Sequence, residues 1–369
     1  MTSGENHQRK IRVAVVFGGR SDEHDVSLRS ARTIMDALDP AKYEIVPVGI
    51  TREGRWVSGD DPMGALIAVS PMFALTAGEE VATTARGREV VPVTGAEALM
   101  PGGVTEAVDV FFPALHGPMG EDGTIQGMLE MAGLPYVGSG VLGSAASMDK
   151  AMTKVVLTQA GIPQLPWMLL LRRDWERDAD SIETRIIDEI GFPCFVKPAN
   201  LGSSVGISKA KNADELHTAL REAALFDRRI VVEKGVTGRE LELSVLGNDD
   251  PIVSVAGEIR PKGEFYDYNA KYIDDTAELV IPAELDPDIQ KQLEDYAARA
   301  FLALDLAGLA RVDFFLEDGT NQIYLNEVNT LPGFTSISMY PSLWAASGVP
   351  IEELVDRLVQ LALERHAEK

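Results

Sequence analysis

The sequence predicts a multi-domain α/β protein, with a parallel, helix-covered sheet at its N-terminus and segregated antiparallel strands and helices (α+β) further on. Three observations predict this class. Near-continuous apolar runs alternate with helical patterns over the first part of the chain, as a sheet buried on both faces requires. Beyond about residue 190 the pattern changes to short strands paired across tight turns. With 369 residues the chain exceeds the length at which one core stops growing, so two or three domains are expected.

Residues 11–17, IRVAVVF, read as a buried strand running into Gly18-Gly19. A helix from about Ser27 follows, because Leu28, Ala31, Ile34, Met35 and Leu38 share one face. Residues 43–50 and 108–115 are further strands, whereas 53–108, rich in Gly, Ala and Thr, carry no usable period. A helix is expected from Ser147 toward Gly161, where Gly161 and Pro163 are stop signals. Residues 194–198 and 205–210 make a hairpin around ANLGSS, and Asn212 caps a helix carrying Leu216, Leu220 and Ala224. Strands 229–233 and 240–246 flank Lys234-Gly235-Val236-Thr237-Gly238. Asp286-Pro287 opens a helix to about Leu306, with proline in the first turn. Residues 311–316 and 322–325 make a second hairpin, and a last helix covers about 350–366. No repeat or low-complexity linker divides the chain, so domain boundaries rest on the change of pattern alone.

Charge excludes some functions. A net charge of −23 repels polyanions, so nucleic acid and anionic membranes are not expected as partners. A nucleotide phosphate would need its own cluster of basic residues. The single cysteine, Cys194, has no internal disulfide partner and no Cys/His array of zinc spacing accompanies it, which suits a reducing cytoplasm. The first ten residues lack an apolar core, and no apolar stretch of 18 residues occurs, so a soluble cytosolic protein is expected.

Three motif matches fail in context. Gly18-Gly19 lacks the spacing of the dinucleotide fingerprint, since Arg20 and Glu23 stand where glycines are needed. Ser147-Met148-Asp149-Lys150 matches S-x-x-K, but neither S-D-N nor K-T-G occurs. Gly202-Ser203-Ser204-Val205-Gly206 matches G-x-S-x-G, yet a strand rather than a helix is expected after it.

Four others hold. Lys197 precedes the small-residue turn 202–206, whose backbone N–H groups can cradle phosphate, although the same residues suit a plain hairpin. Glu327 and Asn329, two apart on a strand, face one side, and Asp313 lies on the preceding strand beside Arg311. Hard oxygen ligands without His or Cys suit magnesium; an ordinary polar cluster at a strand end is the other reading. Glu233 ends an apolar strand at a flexible connection that can meet an adenine edge, with Glu240 in reach of a ribose hydroxyl, or that simply joins two strands. His116 opens the glycine-rich loop HGPMGEDG after a strand, and Glu23 and His24 follow the first strand in the same way, where ligands bind in open α/β sheets.

Together these pieces resemble the ATP-grasp superfamily and, more narrowly, the D-alanine–D-alanine ligases. The matching stretches are GGRSDEHDVSLRSA (18–31), LHGPMGEDGTIQG (115–127), SMDK (147–150), FVKPANLGSSVGISK (195–209), VVEK (231–234), FYDYNAKY (265–272), RVDFF (311–315) and NEVNTLPGFTSIS (326–338). They cover nearly the whole chain except 53–108. The resemblance implies three domains, 1–143 for substrate, 144–236 and 237–369 for ATP between them. It implies ATP as co-substrate, two magnesium ions for which manganese can substitute, potassium as a further candidate, and a homodimer.

The resemblance also implies roles. Lys150, Lys197 and Lys271 neutralise phosphate charge, Lys271 on the substrate side. Asp313, Glu327 and Asn329 hold magnesium. Phe195, Gly202, Ser204, Glu233, Lys234, Val236, Glu240, Phe265 and Asn326 belong to the ATP site. Arg311 and the Gly333 N–H face the developing oxyanion. Glu23 binds the ammonium of the first D-alanine, and His116 lies near its carboxylate. Ser338 and the Met339 N–H take the second carboxylate. Glu23, Ser203 and Tyr272 form a triad that anchors a mobile loop. The chain departs from the family at Asp25, usually Glu, and at Gly235, often Trp. The implied reaction is ATP-dependent joining of two D-alanines through D-alanyl phosphate, for peptidoglycan precursors. The alternatives are a D-alanine–D-lactate or D-serine ligase, disfavoured by Tyr272, and a non-catalytic nucleotide-binding regulatory protein, disfavoured by the intact Lys197, Arg311, Asp313, Glu327 and Asn329.

Overall fold

The computed structural model describes residues 9–59, 61–68, 88–89, 108–202, 205–261 and 277–369. Its strands fall into three sheets. The first has the order β4-β3-β2-β1-β5, from β1 (Ile11–Gly18), β2 (Tyr43–Ile50), β3 (Trp56–Ser58), β4 (Arg88–Glu89) and β5 (Val110–Pro113). β1 pairs parallel with β2 and β5, as the apolar runs require. The β2–β3 and β3–β4 pairs are antiparallel, an edge contributed by the segment whose pattern carries no period. Val13, Val15 and Phe17 face the helices His24–Ala37 and Ile351–Ala367, while Ala14, Val16 and Phe111 face helix Thr124–Met131. The last helix of the chain thus covers the first sheet. Its Leu354, Val355, Leu358 and Val359 are fully buried there, each burial contributing about 1.5–3 kcal/mol.

The second sheet, order β6-β9-β7-β8, is antiparallel and joins β6 (Trp167–Leu171), β7 (Cys194–Pro198), β8 (Ser208–Ala210) and β9 (Arg229–Lys234). Cys194 is buried in its core, against helices Ala179–Glu189 and Ala213–Phe226. The third sheet runs β13-β12-β10-β14-β15, from β10 (Gly238–Gly247), β11 (Ile252–Val253, paired to β10), β12 (Gly257–Pro261), β13 (Ala277–Val280), β14 (Gly308–Glu317) and β15 (Ile323–Asn329). Leu241, Leu243, Val245, Ala310, Val312 and Phe314 pack on Leu293, Ala297, Ala300 and Phe301 of helix Pro287–Ala303. The other side of these strands carries the polar residues of the site.

Several elements differ from the sequence reading. The helix expected from Ser147 begins at Lys150 and ends at Gln159, and a helix the sequence reading did not contain, Val141–Met148, precedes it, the two parted at Asp149. Asp149 is extended (φ −83, ψ 102), and its carboxylate accepts hydrogen bonds from the N–H groups of Ala151 and Met152. A good N-cap here ends one helix and starts the next. The first helix begins at His24, not near Ser27, because the Ser27 hydroxyl is occupied elsewhere. It accepts from Gly18 N–H at 2.7 Å and donates to the Ala114 carbonyl, tying the ends of β1 and β5 to the helix. Gly18 needs its glycine: φ is +91, and a Cβ would lie 2.1 Å from the Ile50 carbonyl oxygen. The second strand of the first hairpin is only Ser208–Ala210, since residues 205 and 206 form a turn.

β15 is longer than read, and it is bulged. Leu325 pairs with Phe314 but Glu327 pairs with Asp313, leaving Asn326 as the extra residue. Leu325 and Val328, three apart, therefore both reach the core. Without the bulge, strict alternation would place one of them on the polar face.

Candidate active site

Register builds the polar face of the third sheet. Glu242, Asp313 and Glu327 stand opposite one another across β10, β14 and β15, and Ser244, Arg311 and Asn329 form the next row. Residues directly opposed on antiparallel strands project to the same side, and like charges so placed repel. Arg311 offsets this repulsion. It donates from Nε and Nη2 to the two Asp313 oxygens, both at 2.8 Å, and Nε lies 2.9 Å from Glu242 Oε2. Burial disfavours its charge, but Asp313 and Glu242 outweigh that and hold its pKa well above the ordinary arginine value. Asn329 Nδ2 donates to Asp313 Oδ2 at 3.0 Å.

One cleft opens between this sheet and the second. Phe195, Lys197, Glu233, Lys234, Val236 and Glu240 line it together with Asp313, Asn326 and Glu327. Asn326 and Glu327 are neighbours in sequence, and the bulge is what allows both to line the same cleft. Glu233, 2% exposed, is held by two lysines: Lys197 Nζ donates to Oε2 at 2.6 Å and Lys154 Nζ bonds Oε1. Burial raises the pKa of Glu233, and the two ammonium groups more than reverse that, so it lies below the usual carboxylate value. Gly235 is a close approach. A Cβ there would lie 3.0 Å from the Pro193 carbonyl oxygen and 3.3 Å from the Phe195 ring, which leaves the ring itself as a wall of the cleft.

A second cleft adjoins the first at Glu327 and Ile207, which line both. Glu23, His116, Lys150, Gly202, Arg311, Asn329 and Gly333 line it. Lys150, at the start of helix Lys150–Gln159, donates to the Leu201 carbonyl. Burial holds its pKa below the lysine value despite the pull of Glu327. His116 Nδ1 lies 3.0 Å from the Leu331 carbonyl oxygen, which can only accept, so Nδ1 carries a hydrogen. Nε2 lies 3.0 Å from Ser30 Oγ, and that hydroxyl oxygen accepts from Phe334 N–H at 3.2 Å. Burial opposes charging of His116, but the carboxylate of Glu121, 3.6 Å from Nδ1, and the charge of Glu23 raise its pKa above the ordinary value. Ser30 and His116 thus pin the turn that holds Gly333.

Of the residues singled out in the sequence, these two clefts gather Glu23, His116, Lys150, Phe195, Lys197, Gly202, Glu233, Lys234, Val236, Glu240, Arg311, Asp313, Asn326, Glu327, Asn329 and Gly333. Ser338 lines neither, but its hydroxyl bonds Thr335 and stands 3.0 Å from where a Cβ on Gly333 would be. Met339 opens the helix Met339–Ala346, and its side chain is buried against Ile259 and Leu343, leaving only its backbone for a ligand. Ser203, Ser204, Phe265, Lys271 and Tyr272 lie outside the described residues. Asp25, the shortened acid, pairs with Arg52 at 2.9 Å. Sequence reasoning missed Glu242, Lys154, Glu121 and Ser30. Glu242 carried a signal: in GRELELSVL it alternates with Glu240 on one strand face. Lys154 carried another, standing one helical turn after Lys150.

The residues suit a divalent cation through chemistry rather than enclosure. Among the described residues, no group of three or more His, Cys, Asp or Glu side chains converges as a protein-only metal site would. A carboxylate row with an adjacent amide fits magnesium, which takes one or two carboxylates and completes its shell with water and substrate phosphates.

Similarity to known proteins agrees. Residues 12–139 match the family model described as D-ala D-ala ligase N-terminus, and residues 156–360 match D-ala D-ala ligase C-terminus. The chain is 51% identical to a D-alanine–D-alanine ligase of Geobacillus thermodenitrificans over 365 residues, covering 98% of this chain and 97% of that one. It is 49% identical to that of Listeria monocytogenes, over 98% and 97%. Among solved structures, it is similar to the D-alanine-D-alanine ligase of Coxiella burnetii (TM-score 0.82, 37% identity, 98% and 96% covered). It is also similar to the VanG D-Ala:D-Ser ligase of Enterococcus faecalis (TM-score 0.81, 32% identity, 96% and 100% covered). The fold is the ATP-grasp fold, and the chain is an enzyme, a ligase. It belongs to the D-alanine–D-alanine ligase family.

Proposed function

We propose that this enzyme joins two D-alanines to D-alanyl-D-alanine, converting ATP to ADP and phosphate, and so supplies the dipeptide for peptidoglycan precursors. The observation that carries this reading is the meeting of the two clefts at Glu327. One offers lysines and a carboxylate row to a nucleotide, and the other offers Glu23, His116, Arg311 and Gly333 to an amino acid. The carboxylate of the first D-alanine takes the γ-phosphoryl group, and the amine of the second attacks the acylphosphate with loss of phosphate. Glu23 holds the ammonium of the first D-alanine. Lys150 and Lys197 bind phosphate oxygens. Arg311 and the Gly333 N–H face the oxyanion of the tetrahedral intermediate. Holding both amino acids in line lowers the barrier by roughly 7–11 kcal/mol at most. Glu23, Ser203 and Tyr272 anchor a loop whose closure excludes water. Ser338 and the Met339 N–H receive the second carboxylate.

Asp313, Glu327 and Asn329 would hold magnesium, with manganese as a substitute; potassium is a further candidate. When bound, magnesium neutralises charge on the phosphate oxygens. Residues 1–143, 144–236 and 237–369 form the three domains of this proposal, supported by each range carrying one sheet. A homodimer and a cytoplasmic location complete it. Among the described residues, no helix is long and apolar enough to cross a membrane.

Relatives near 50% identity are named D-alanine–D-alanine ligases, whereas the D-Ala:D-Ser ligase is 32% identical. The dipeptide reading is therefore preferred. Phosphate release from Mg·ATP, measured with D-alanine alone and with D-lactate, D-serine or L-alanine added, tests it. Release that requires D-alanine and yields the dipeptide supports the proposal. Release independent of D-alanine, or a dominant D-lactate or D-serine product, overturns it.

A further inference from the structure

Helix Lys150–Gln159 carries two lysines one turn apart, and they reach different places. Lys150 lines the cleft that also holds Glu23 and Gly333. Lys154 is 3% exposed and contacts Glu233 Oε1, while Glu233 Oε2 takes Lys197. One buried carboxylate thus carries two ammonium groups, of which Lys197 alone lines the cleft proposed for ATP. Core packing gives no reason for this. Lysine is among the residues least tolerated in an interior, and apolar replacement of buried ion pairs is often neutral or stabilising.

A requirement for charge does give a reason. Glu233 with Lys197 alone is a neutral pair, whose second oxygen would compete with phosphate for the Lys197 protons. Burial lowers the pKa of Lys154 and Glu233 opposes that shift; with the Lys154 ammonium on that oxygen, the trio is net positive and its cationic face lies at Lys197. We propose that Lys154 is a positioning residue for nucleotide binding: it balances Glu233 so that Lys197 presents its charge to the ATP phosphates. This rests on the nucleotide reading of that cleft.

The test compares wild type with Lys197→Met, Lys154→Met, Glu233→Gln and the double variant Lys154→Met/Glu233→Gln. The readouts are ADP binding by calorimetry, KM for ATP and for D-alanine, and melting temperature. Lys154→Met should weaken ADP binding and raise the ATP KM roughly ten- to hundredfold, as loss of a hydrogen bond to a charged group would. The D-alanine KM should stay near wild type. In the Glu233→Gln background, adding Lys154→Met should change ADP binding by less than about threefold. Equal effects in both backgrounds would overturn the inference, as would a lowered melting temperature with wild-type ATP KM, which marks a purely structural lysine. If Lys154→Met does not fold, Lys154→Gln, a neutral donor, carries the same expectation, and a wild-type ATP KM in it overturns the inference. Unchanged ADP binding in Lys197→Met would overturn the nucleotide reading of the cleft itself, and the inference with it.

Discussion

Replacing Arg311 by Met separates what the polar face does for the fold from what it does for the reaction. The guanidinium sits between two carboxylates whose side chains are 8% and 12% exposed, Glu242 and Asp313. Met fills similar space but leaves those carboxylates opposed on adjacent strands with their shared cation gone. Breaking a buried pair in this way costs about 3–5 kcal/mol of stability. Loss of Arg311 as the proposed donor to the oxyanion should cost a further ~2.7–4 kcal/mol in the transition state, or roughly 100- to 1,000-fold in kcat. The two losses come apart in Arg311→Met/Glu242→Gln, where one repelling charge is gone. That variant should recover much of the thermal stability lost in Arg311→Met while its kcat for D-alanine-dependent phosphate release stays low. Recovery of kcat together with stability would mean that Arg311 serves the fold alone. So would a single variant with wild-type kcat.

Gly333→Ala places a methyl 3.0 Å from Ser338 Oγ, a contact tighter than ordinary packing. Overpacking of ~1–3 kcal/mol should lower kcat/KM for D-alanine at least about fivefold, with the ATP KM nearly unchanged; unaltered kinetics with D-alanine would refute the tight turn. Asp356 accepts from Tyr43 Oη at 2.7 Å and Lys42 Nζ at 2.9 Å, latching the last helix to the first sheet. Burial raises its pKa, but those two hydrogen bonds outweigh that and bring it below 3.8. Its stabilisation is therefore complete above pH 3.8 and lost as pH falls through the lower folded value. The stability gap between wild type and Asp356→Asn, read from denaturant midpoints, should shrink on acidification; a gap that widens refutes the latch. Chelating divalent cations should stop turnover yet leave the melting temperature of the nucleotide-free enzyme unchanged, because magnesium at the proposed site would rely on substrate phosphates. A metal-dependent melting temperature without nucleotide would contradict that arrangement.

Much of this site was legible because strands impose a simple rule. Residues two apart share a face, so the sequence pairs Arg311 with Asp313 and Glu327 with Asn329, and register sets the pairs opposite one another. The parallel centre of the first sheet followed equally from unbroken apolar runs. What stayed hidden depended on contacts remote in sequence or on broken rules. The bulge at Asn326 changes the phase of β15 with no glycine to announce it. Ser30 bonds Phe334 N–H across 304 positions, which no local pattern encodes. The helix Val141–Met148 went unread and its successor was started at Ser147 instead of Lys150, although Asp149 followed by helix formers is a recognisable cap. The edge strands β3 and β4 are too short for alternation to register.

In the proposed reaction, phosphoryl transfer from ATP to D-alanine takes place at the end of β15, where the clefts meet. Glu327→Gln keeps the shape of that strand end and removes one carboxylate charge. With saturating Mg·ATP and D-alanine, dipeptide formation should fall about 100-fold or more while thermal unfolding stays near wild type. A folded Glu327→Gln enzyme making D-alanyl-D-alanine at the wild-type rate would show that this strand end does not take part in the transfer.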